Sequence, residues 1–135
     1  MTALHHLRLN LSDLSRSRAF YGPILRWLGF RELDPHSTPE GGVDRYRWEK
    51  EGFVFLLSKA DPRSRHDRSA VGLHHLAFAV PSRGHVDAFY QEVLLELPDA
   101  VVEDPPVDCP EYRDGYYATY FLDPDGIKLE VVFTP

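Results

Sequence analysis

The chain has 135 residues, 43% of them hydrophobic, and a formal net charge of −6. This length is typical of one compact domain with a buried core, and the acidic balance argues against a nucleic-acid partner, because phosphate binding needs clustered lysine and arginine. No stretch approaches the roughly 20 apolar residues of a membrane span, and no signal-peptide pattern precedes residue 4, so we expect no membrane partner and a cytoplasmic location.

The first half of the sequence predicts the element order β-α-β-β-β. Residues 4–11 alternate apolar and polar side chains, which is the period-two pattern of a strand with unlike faces. A helix is predicted from the cap at Ser12 and Asp13 to the stop at Gly29, with a break or kink at Pro23. After it we expect a strand at 30–33, a turn-rich loop at 35–42, and strands at 46–48 and 53–58.

The second half predicts the same order again. We expect a strand at 73–80, a helix from 83 to about 95, a short strand near 101–102, and strands at 116–122 and 127–133. Residues 105–115 are predicted to form a loop that is long enough to cover a pocket. The interpretation is a single domain over 1–135, with module one at 1–60, a linker at 61–70 and module two at 71–135.

A sequence repeat supports this division into two modules. Residues 4–21 align with residues 73–90 at a constant offset of 69 residues and share seven identities. Leu-His-His-Leu opens both segments and Ala-Phe-Tyr closes both. Two copies with a period near half the chain indicate a duplicated domain rather than a solenoid.

Strand alternation separates the histidines of the first repeat. His6 shares a face with Arg8 and Asn10, whereas His5 lies on the face of the leucines. We therefore predict His6 as a metal ligand and expect His5 to pack against a helix.

The same alternation in module two selects His75. It shares a face with Ala77 and Ala79, whose small side chains leave room, whereas His74 lies with the large apolar residues. A lone histidine is usually a hydrogen-bonded core residue, but two copies in register favour His75 as a second metal ligand. His74 is expected to pack against a helix.

Glu130 in the last strand is the third candidate ligand. It is flanked by Leu129 and Val131 and shares its face with Lys128. A carboxylate at such a position is costly to bury unless it is paired or metal-bound, and an ion pair with an arginine is the alternative. Two imidazoles and one carboxylate form the set that holds Fe²⁺, Mn²⁺ or a similar divalent ion, such as Ni²⁺ or Zn²⁺, and leaves positions open for substrate.

These ordered motifs resemble the vicinal oxygen chelate superfamily, which includes glyoxalase I, extradiol dioxygenases, fosfomycin-modifying enzymes and bleomycin-binding proteins. The segments that carry the resemblance are 6–21, 28–30, 75–90 and 121–130. The resemblance implies an α+β fold in which two tandem βαβββ modules form a cup-shaped mixed β-sheet barrel with helices outside. It also implies a divalent metal held at the positions of His6, His75 and Glu130.

One departure from the family pattern concerns Leu56. Glyoxalase I usually carries a fourth ligand and catalytic carboxylate on the last strand of module one, where this sequence aligns Leu56 with Glu130. Leucine can neither bind a metal nor move a proton. Ordinary glyoxalase I activity is therefore not expected. The resemblance to extradiol dioxygenases and fosfomycin-modifying transferases implies a site with three protein ligands.

The predicted function is a metal-dependent enzyme, dioxygenase-like or transferase-like, whose ion binds neighbouring oxygens of a small-molecule substrate. The candidate substrate contacts are Arg8, Asn10, Lys128 and Tyr116, and the candidate catalytic residues are Tyr120 and Tyr112. Two alternatives stay open: a non-catalytic protein that binds an antibiotic or another small molecule, and a lyase or isomerase of glyoxalase type. The family resemblance also favours a homodimer.

Overall fold

The computed structural model describes residues 3–135 and divides into two units, one ending at Ser64 and the other spanning Arg65–Pro135. The boundary lies inside the segment predicted as a linker. Within the described residues no helix is long and apolar enough to cross a membrane.

Module one has the predicted order of elements. They are β1 (His6–Leu11), α1 (Leu14–Trp27), β2 (Arg31–Ser37), β3 (Val43–Lys50) and β4 (Phe53–Lys59). The sheet order is β1-β4-β3-β2, with β1 parallel to β4 and the other neighbours antiparallel. This mixed arrangement places the first and last strands of the module side by side.

Helix α1 begins at a side-chain cap and packs through an apolar face. The carboxylate of Asp13 accepts a hydrogen bond from the Arg16 amide, as N-cap residues do. The predicted break at Pro23 is wrong, because the helix continues to Trp27. The two residues that follow the proline, Ile24 and Leu25, are completely buried, and this packing offsets the hydrogen bond that proline cannot make.

The sheet of module one has one apolar face and one polar face. Leu9, Leu11, Phe55 and Leu57 are buried on the face that meets α1, where the rings of Tyr21 and Phe55 lie 5.8 Å apart. The alternate residues of β1 and β4 therefore point to the opposite face, as strand geometry requires.

Module two repeats this plan. Its elements are β5 (His75–Ala79), α2 (Arg83–Glu92), a 3₁₀ turn (Leu94–Glu96), β6 (Val101–Asp108), β7 (Tyr117–Leu122) and β8 (Lys128–Phe133). The sheet order is β5-β8-β7-β6, with β5 parallel to β8. The predicted α+β class with tandem βαβββ modules is confirmed, and each described four-stranded sheet is open rather than closed on itself.

Two predicted loops are shorter than expected because edge strands extend into them. Strand β2 runs to Ser37 through Pro35, and β6 runs to Asp108 through Pro105 and Pro106. Both strands shift register around these prolines. Proline is tolerated at such positions because an edge strand has one side without a sheet partner. Helix α2 also ends at Glu92, earlier than predicted.

Candidate functional site

A buried carboxylate, Glu130, lies in the middle of the module-two sheet. Glu130 is 1% exposed, and the strand register pairs it with Ala77 on β5 and Tyr120 on β7. The hydroxyl of Tyr116 donates a short hydrogen bond to Oε1, and His75 Nε2 lies 3.4 Å from Oε2. Each carboxylate oxygen therefore has its own polar neighbour.

Two phenols beside Glu130 are held in their neutral form. Burial raises the pKa of Tyr116 well above its usual range, and the hydrogen bond to Glu130 and the carboxylate charge add to the effect. Burial likewise raises the pKa of Tyr120, whose Oη lies 3.6 Å from Cys109 Sγ. Both hydroxyls keep their protons at neutral pH, so they can donate hydrogen bonds to a neighbouring oxygen.

The other candidates in module two surround this group. Lys128 Nζ lies 4.8 Å from the centre of the Tyr120 ring, a cation–π distance, and Lys128 is the strand partner of His75. Tyr112 is 67% exposed, and its ring centre is 5.3 Å from that of Tyr116. The structure thus places Lys128, Tyr116 and Tyr120 around Glu130. Tyr112 lies farther out and contacts the ring of Tyr116.

Each predicted histidine ligand forms a hydrogen bond with the histidine before it. The Nδ1 atoms of His5 and His6 are 2.9 Å apart, and those of His74 and His75 are 2.8 Å apart. The predicted packing of His5 and His74 against helices is wrong, because both are exposed. They precede the first residues of β1 and β5, so strand alternation does not orient them. With Nδ1 engaged, Nε2 is the ring nitrogen of His6 and His75 that can bind a ligand.

Two substrate candidates of module one meet at a serine. Arg8 Nε donates to Ser58 Oγ at 2.8 Å, and Ser58 Oγ donates to Asn10 Oδ1 at 2.9 Å. Ser58 is 2% exposed. The sequence interpretation missed this residue, although a polar side chain two positions after Leu56 on the same strand face was a usable signal.

The register also relates Leu56 to Glu130. Leu56 is the strand partner of Arg8, two residues after His6, and Glu130 is the partner of Ala77, two residues after His75. The two residues therefore occupy equivalent positions in the two modules. Module one has no carboxylate at this position.

The predicted ligands suit a divalent cation by their donor atoms. Two atoms that each lie about 2.1 Å from one ion are about 3 Å apart, close to the 3.4 Å between His75 Nε2 and Glu130 Oε2. Within either module of residues 3–135, no three His, Cys, Asp or Glu side chains converge as a metal-binding group. Among the predicted ligands, His6 belongs to module one, and His75 and Glu130 belong to module two.

Comparison with known proteins gives a consistent family. The model of the Glyoxalase/Bleomycin resistance protein/Dioxygenase superfamily matches residues 3–131. The chain is 33% identical over 132 residues to the uncharacterized protein YqjT of Bacillus subtilis (strain 168), covering 96% of this chain and 97% of that protein.

Solved structures agree with this match. A glyoxalase-family structure from Bacillus halodurans is 26% identical, covers 98% of this chain and 96% of its own, and has a TM-score of 0.77. The fosfomycin resistance protein FosX of Listeria monocytogenes is 20% identical, with 100% and 95% coverage and a TM-score of 0.69. At that identity, the likeness to FosX concerns the fold alone.

Proposed function

Because the chain belongs to the glyoxalase/bleomycin resistance protein/dioxygenase superfamily, we propose that it is a divalent-metal-dependent enzyme that acts on a small oxygen-bearing substrate. The observation that carries the proposal is the approach of His75 Nε2 to the buried carboxylate of Glu130. A carboxylate that is removed from water needs a cation or hydrogen-bond donors. Tyr116 donates a hydrogen bond to Oε1 of Glu130, and His75 Nε2 lies beside Oε2.

In this proposal His6, His75 and Glu130 hold the metal, and its identity lies among Fe²⁺, Mn²⁺, Ni²⁺ and Zn²⁺. Such an ion acts as a Lewis acid that lowers the pKa of a bound substrate oxygen and stabilises an oxyanion. The hydrogen bonds of His5 to His6 and of His74 to His75 fix the rings with Nε2 as the ligand atom.

The remaining side chains position the substrate and hold protons. Tyr116 orients the Glu130 carboxylate through its hydroxyl. Tyr120 keeps its proton at Oη because burial raises its pKa, so it can donate a hydrogen bond to a developing oxyanion. Lys128, stacked on Tyr120, can neutralise an anionic substrate group, and Tyr112 contacts Tyr116 from the exposed side.

The absence of a carboxylate at Leu56 favours dioxygenase-like or transferase-like chemistry over the glyoxalase I reaction. Leu56 cannot replace Glu130 as a ligand or as a base, although the two residues have equivalent registers. The likeness in fold to the fosfomycin resistance protein FosX makes antibiotic-like oxygen compounds sensible first substrates to test.

The metal is tested by elemental analysis of protein purified without added metal. We expect about one ion per chain in the wild type and a loss of most of it in His75→Ala and Glu130→Gln. His85→Ala and Glu111→Gln are matched controls, because the His85 ring contacts Ser82, the N-cap residue of α2, and Glu111 is exposed. Equal metal content in the wild type and in the two ligand variants would contradict the proposal.

The reaction is tested by loading the protein with each of the four metals. Catechols, thiols plus epoxides, and α-keto hemithioacetals represent dioxygenase, transferase and glyoxalase-type chemistry respectively. Binding of a substrate without turnover under every metal would instead support a sequestration protein. Superfamily members often bind small molecules and form dimers, so the proposal includes a homodimer, and sedimentation measurements can test this oligomeric state. The proposal also places the protein in the cytoplasm.

A further inference from the structure

The polar face of the module-one sheet carries three arginines in two neighbouring rows. The register aligns Arg8, Leu56, Arg47 and Leu33 in one row, and Asn10, Ser58, Arg45 and His36 in the next. Residues in register on adjacent strands point to the same face, and the strands lie about 4.8 Å apart. We call these eight residues the arginine face.

Arg8 spans the two rows. Its Nε atom donates to Ser58 Oγ at 2.8 Å, so the guanidinium lies over the row that contains Ser58 and Arg45. Ser58 in turn is fixed by its bond to Asn10 at 2.9 Å. The anchor uses only the inner nitrogen of Arg8, and the residue is exposed. The two outer nitrogens form the edge that binds oxyanions with two parallel hydrogen bonds.

Arg45 is the strand partner of Ser58, the residue that anchors Arg8. The Nε atom of Arg45 is buried and has no hydrogen-bond partner in the described structure. Asp44 Oδ1 forms an ion pair with this atom at 3.7 Å, beyond hydrogen-bond distance, and also contacts His36 Nδ1 at 2.6 Å. A buried N–H without an acceptor is unfavourable. An incoming oxyanion would therefore meet the exposed part of the Arg45 side chain, which is 28% accessible, rather than the enclosed Nε.

Arg47 adds positive charge, because its recorded hydrogen bonds go to a backbone oxygen rather than to a carboxylate. Its Nε and Nη2 atoms donate to the backbone oxygen of Asp34 at 3.0 and 2.6 Å. None of the eight residues of the arginine face is acidic. One row further along, Arg31 is paired with Glu49 at 3.3 Å, whereas on the arginine face the recorded carboxylate contact is that of Asp44 with His36 and Arg45.

Module two shows that the fold does not require this chemistry. The positions equivalent to Arg8, Asn10 and Ser58 are occupied by Ala77, Ala79 and Val132. Arg45 and Arg47 lie two residues apart on β3, and Arg8 lies on β1 with only β4 between, so the like charges of these three arginines repel one another. Their presence in module one alone therefore points to a ligand rather than to a structural role.

We propose that Arg8 and Arg45, supported by Ser58 and Arg47, bind the oxyanion group of the substrate: a carboxylate, phosphonate or phosphate. This inference rests on the proposed function in one respect: the proposed function is the reason for calling the bound anion a substrate. The arginine face defines the substrate class as an anion, and it adds Arg45, Arg47 and Ser58 to the residues that select it.

The experiment is calorimetric titration of the metal-free full chain, prepared with EDTA, with acetate, methylphosphonate and inorganic phosphate. We expect at least one of the three to bind, and the order of affinities identifies the source of the oxyanion. Arg8→Gln and Arg45→Gln should each weaken binding about tenfold or more, since each removes a charged donor. Arg63→Gln is the control, because Arg63 is exposed and pairs with Asp61, and it should leave binding unchanged. The neutral analogue acetamide should not bind.

The conservative variants Arg8→Lys and Arg45→Lys separate recognition from folding. They keep the charge and lose the planar fork, so binding should fall by less than in the glutamine variants, while circular dichroism reports an intact fold. Absence of binding by all three anions, or binding that survives both glutamine substitutions, would overturn the inference. Because the titration is free of metal, its outcome is independent of the metal analysis that tests the proposed function.

Discussion

Tyr116 donates its hydroxyl hydrogen to the buried carboxylate of Glu130, linking the segment before β7 to the middle of β8. The bond leaves Oε2 of Glu130 directed at His75 Nε2. The tyrosine that the sequence suggested as a substrate contact therefore also positions the candidate ligand. This relationship makes the orientation of Glu130 dependent on the chain around Gly115.

Tyr116→Phe removes this hydrogen bond and leaves one buried carboxylate oxygen without its donor. We expect a loss of about 1–3 kcal/mol in the free energy of unfolding, measured by urea titration. Tyr112→Phe is the matched control, because Tyr112 is exposed, and it should change stability by less than about 0.5 kcal/mol. Equal stability of the wild type and Tyr116→Phe would show that the hydrogen bond contributes nothing.

Alkaline pH should destabilise the protein through Tyr116 and Tyr120. The pKa of each phenol is higher in the folded chain than in the unfolded chain, where it is about 10. The stabilisation is therefore complete below pH of about 10 and is lost as the pH rises above that value. Unfolding measured across this range should show a smaller fall in stability for Tyr120→Phe than for the wild type. Parallel curves would contradict the raised pKa.

Leu56→Glu should weaken oxyanion binding to the arginine face. Leu56 is the strand partner of both Arg8 and Arg47, so a carboxylate placed there pairs with them and competes with an added anion. We expect affinity for the best-binding anion to fall about tenfold, whereas Leu56→Gln, with a similar shape and no charge, should have a smaller effect. Calorimetry on the metal-free protein measures both, and equal affinity in the two variants would rule out the competition.

His5→Ala and His74→Ala should lower metal affinity without removing a ligand. Each substitution deletes the ring that holds Nδ1 of the neighbouring histidine, and loss of such an orienting partner reduces metal affinity by about 10–100-fold. Competition with a chromophoric chelator measures the affinity. His85→Ala should leave it unchanged. Affinities equal to that of the wild type would show that the histidine pairs do not orient the ligands.

Two glycine substitutions should change stability in opposite directions. Gly115 has a φ of +80°, and an added Cβ would lie 2.5 Å from Pro135 Cγ, so Gly115→Ala should destabilise the chain by about 1–3 kcal/mol. Gly84 lies in the first turn of α2, and its nearest contact would be Ser82 Oγ at 3.6 Å. Gly84→Ala should therefore stabilise the chain by about 0.4–1 kcal/mol. Thermal unfolding of both variants measures the difference, and a stable Gly115→Ala protein would contradict the strain.

Strand alternation was enough to predict the faces of the site residues that lie inside β1 and β8. It placed His6 with Arg8 and Asn10, and the burial pattern of β1 follows the same alternation. It also singled out Glu130, which is buried. These predictions succeeded because strand period depends on backbone geometry alone.

Strand alternation could not predict which side chains of different strands and loops contact each other. Arg45 joins the row of Ser58 only through the pairing of β3 with β4, and β2 pairs with β3 through a bulged register that local sequence does not specify. The bond from Tyr116 to Glu130 depends on where the chain turns before β7. His5 and His74 were misplaced because alternation was extended beyond the first residue of each strand.

The equivalence of Leu56 and Glu130 means that the two halves of this chain are no longer interchangeable. A protein built from two copies of the second half would carry two buried carboxylates and no arginine face. A protein built from two copies of the first half would carry the arginines twice and lack the acid. The acidic group lies in one half and the basic groups lie in the other, so this chain needs both halves to keep both chemistries.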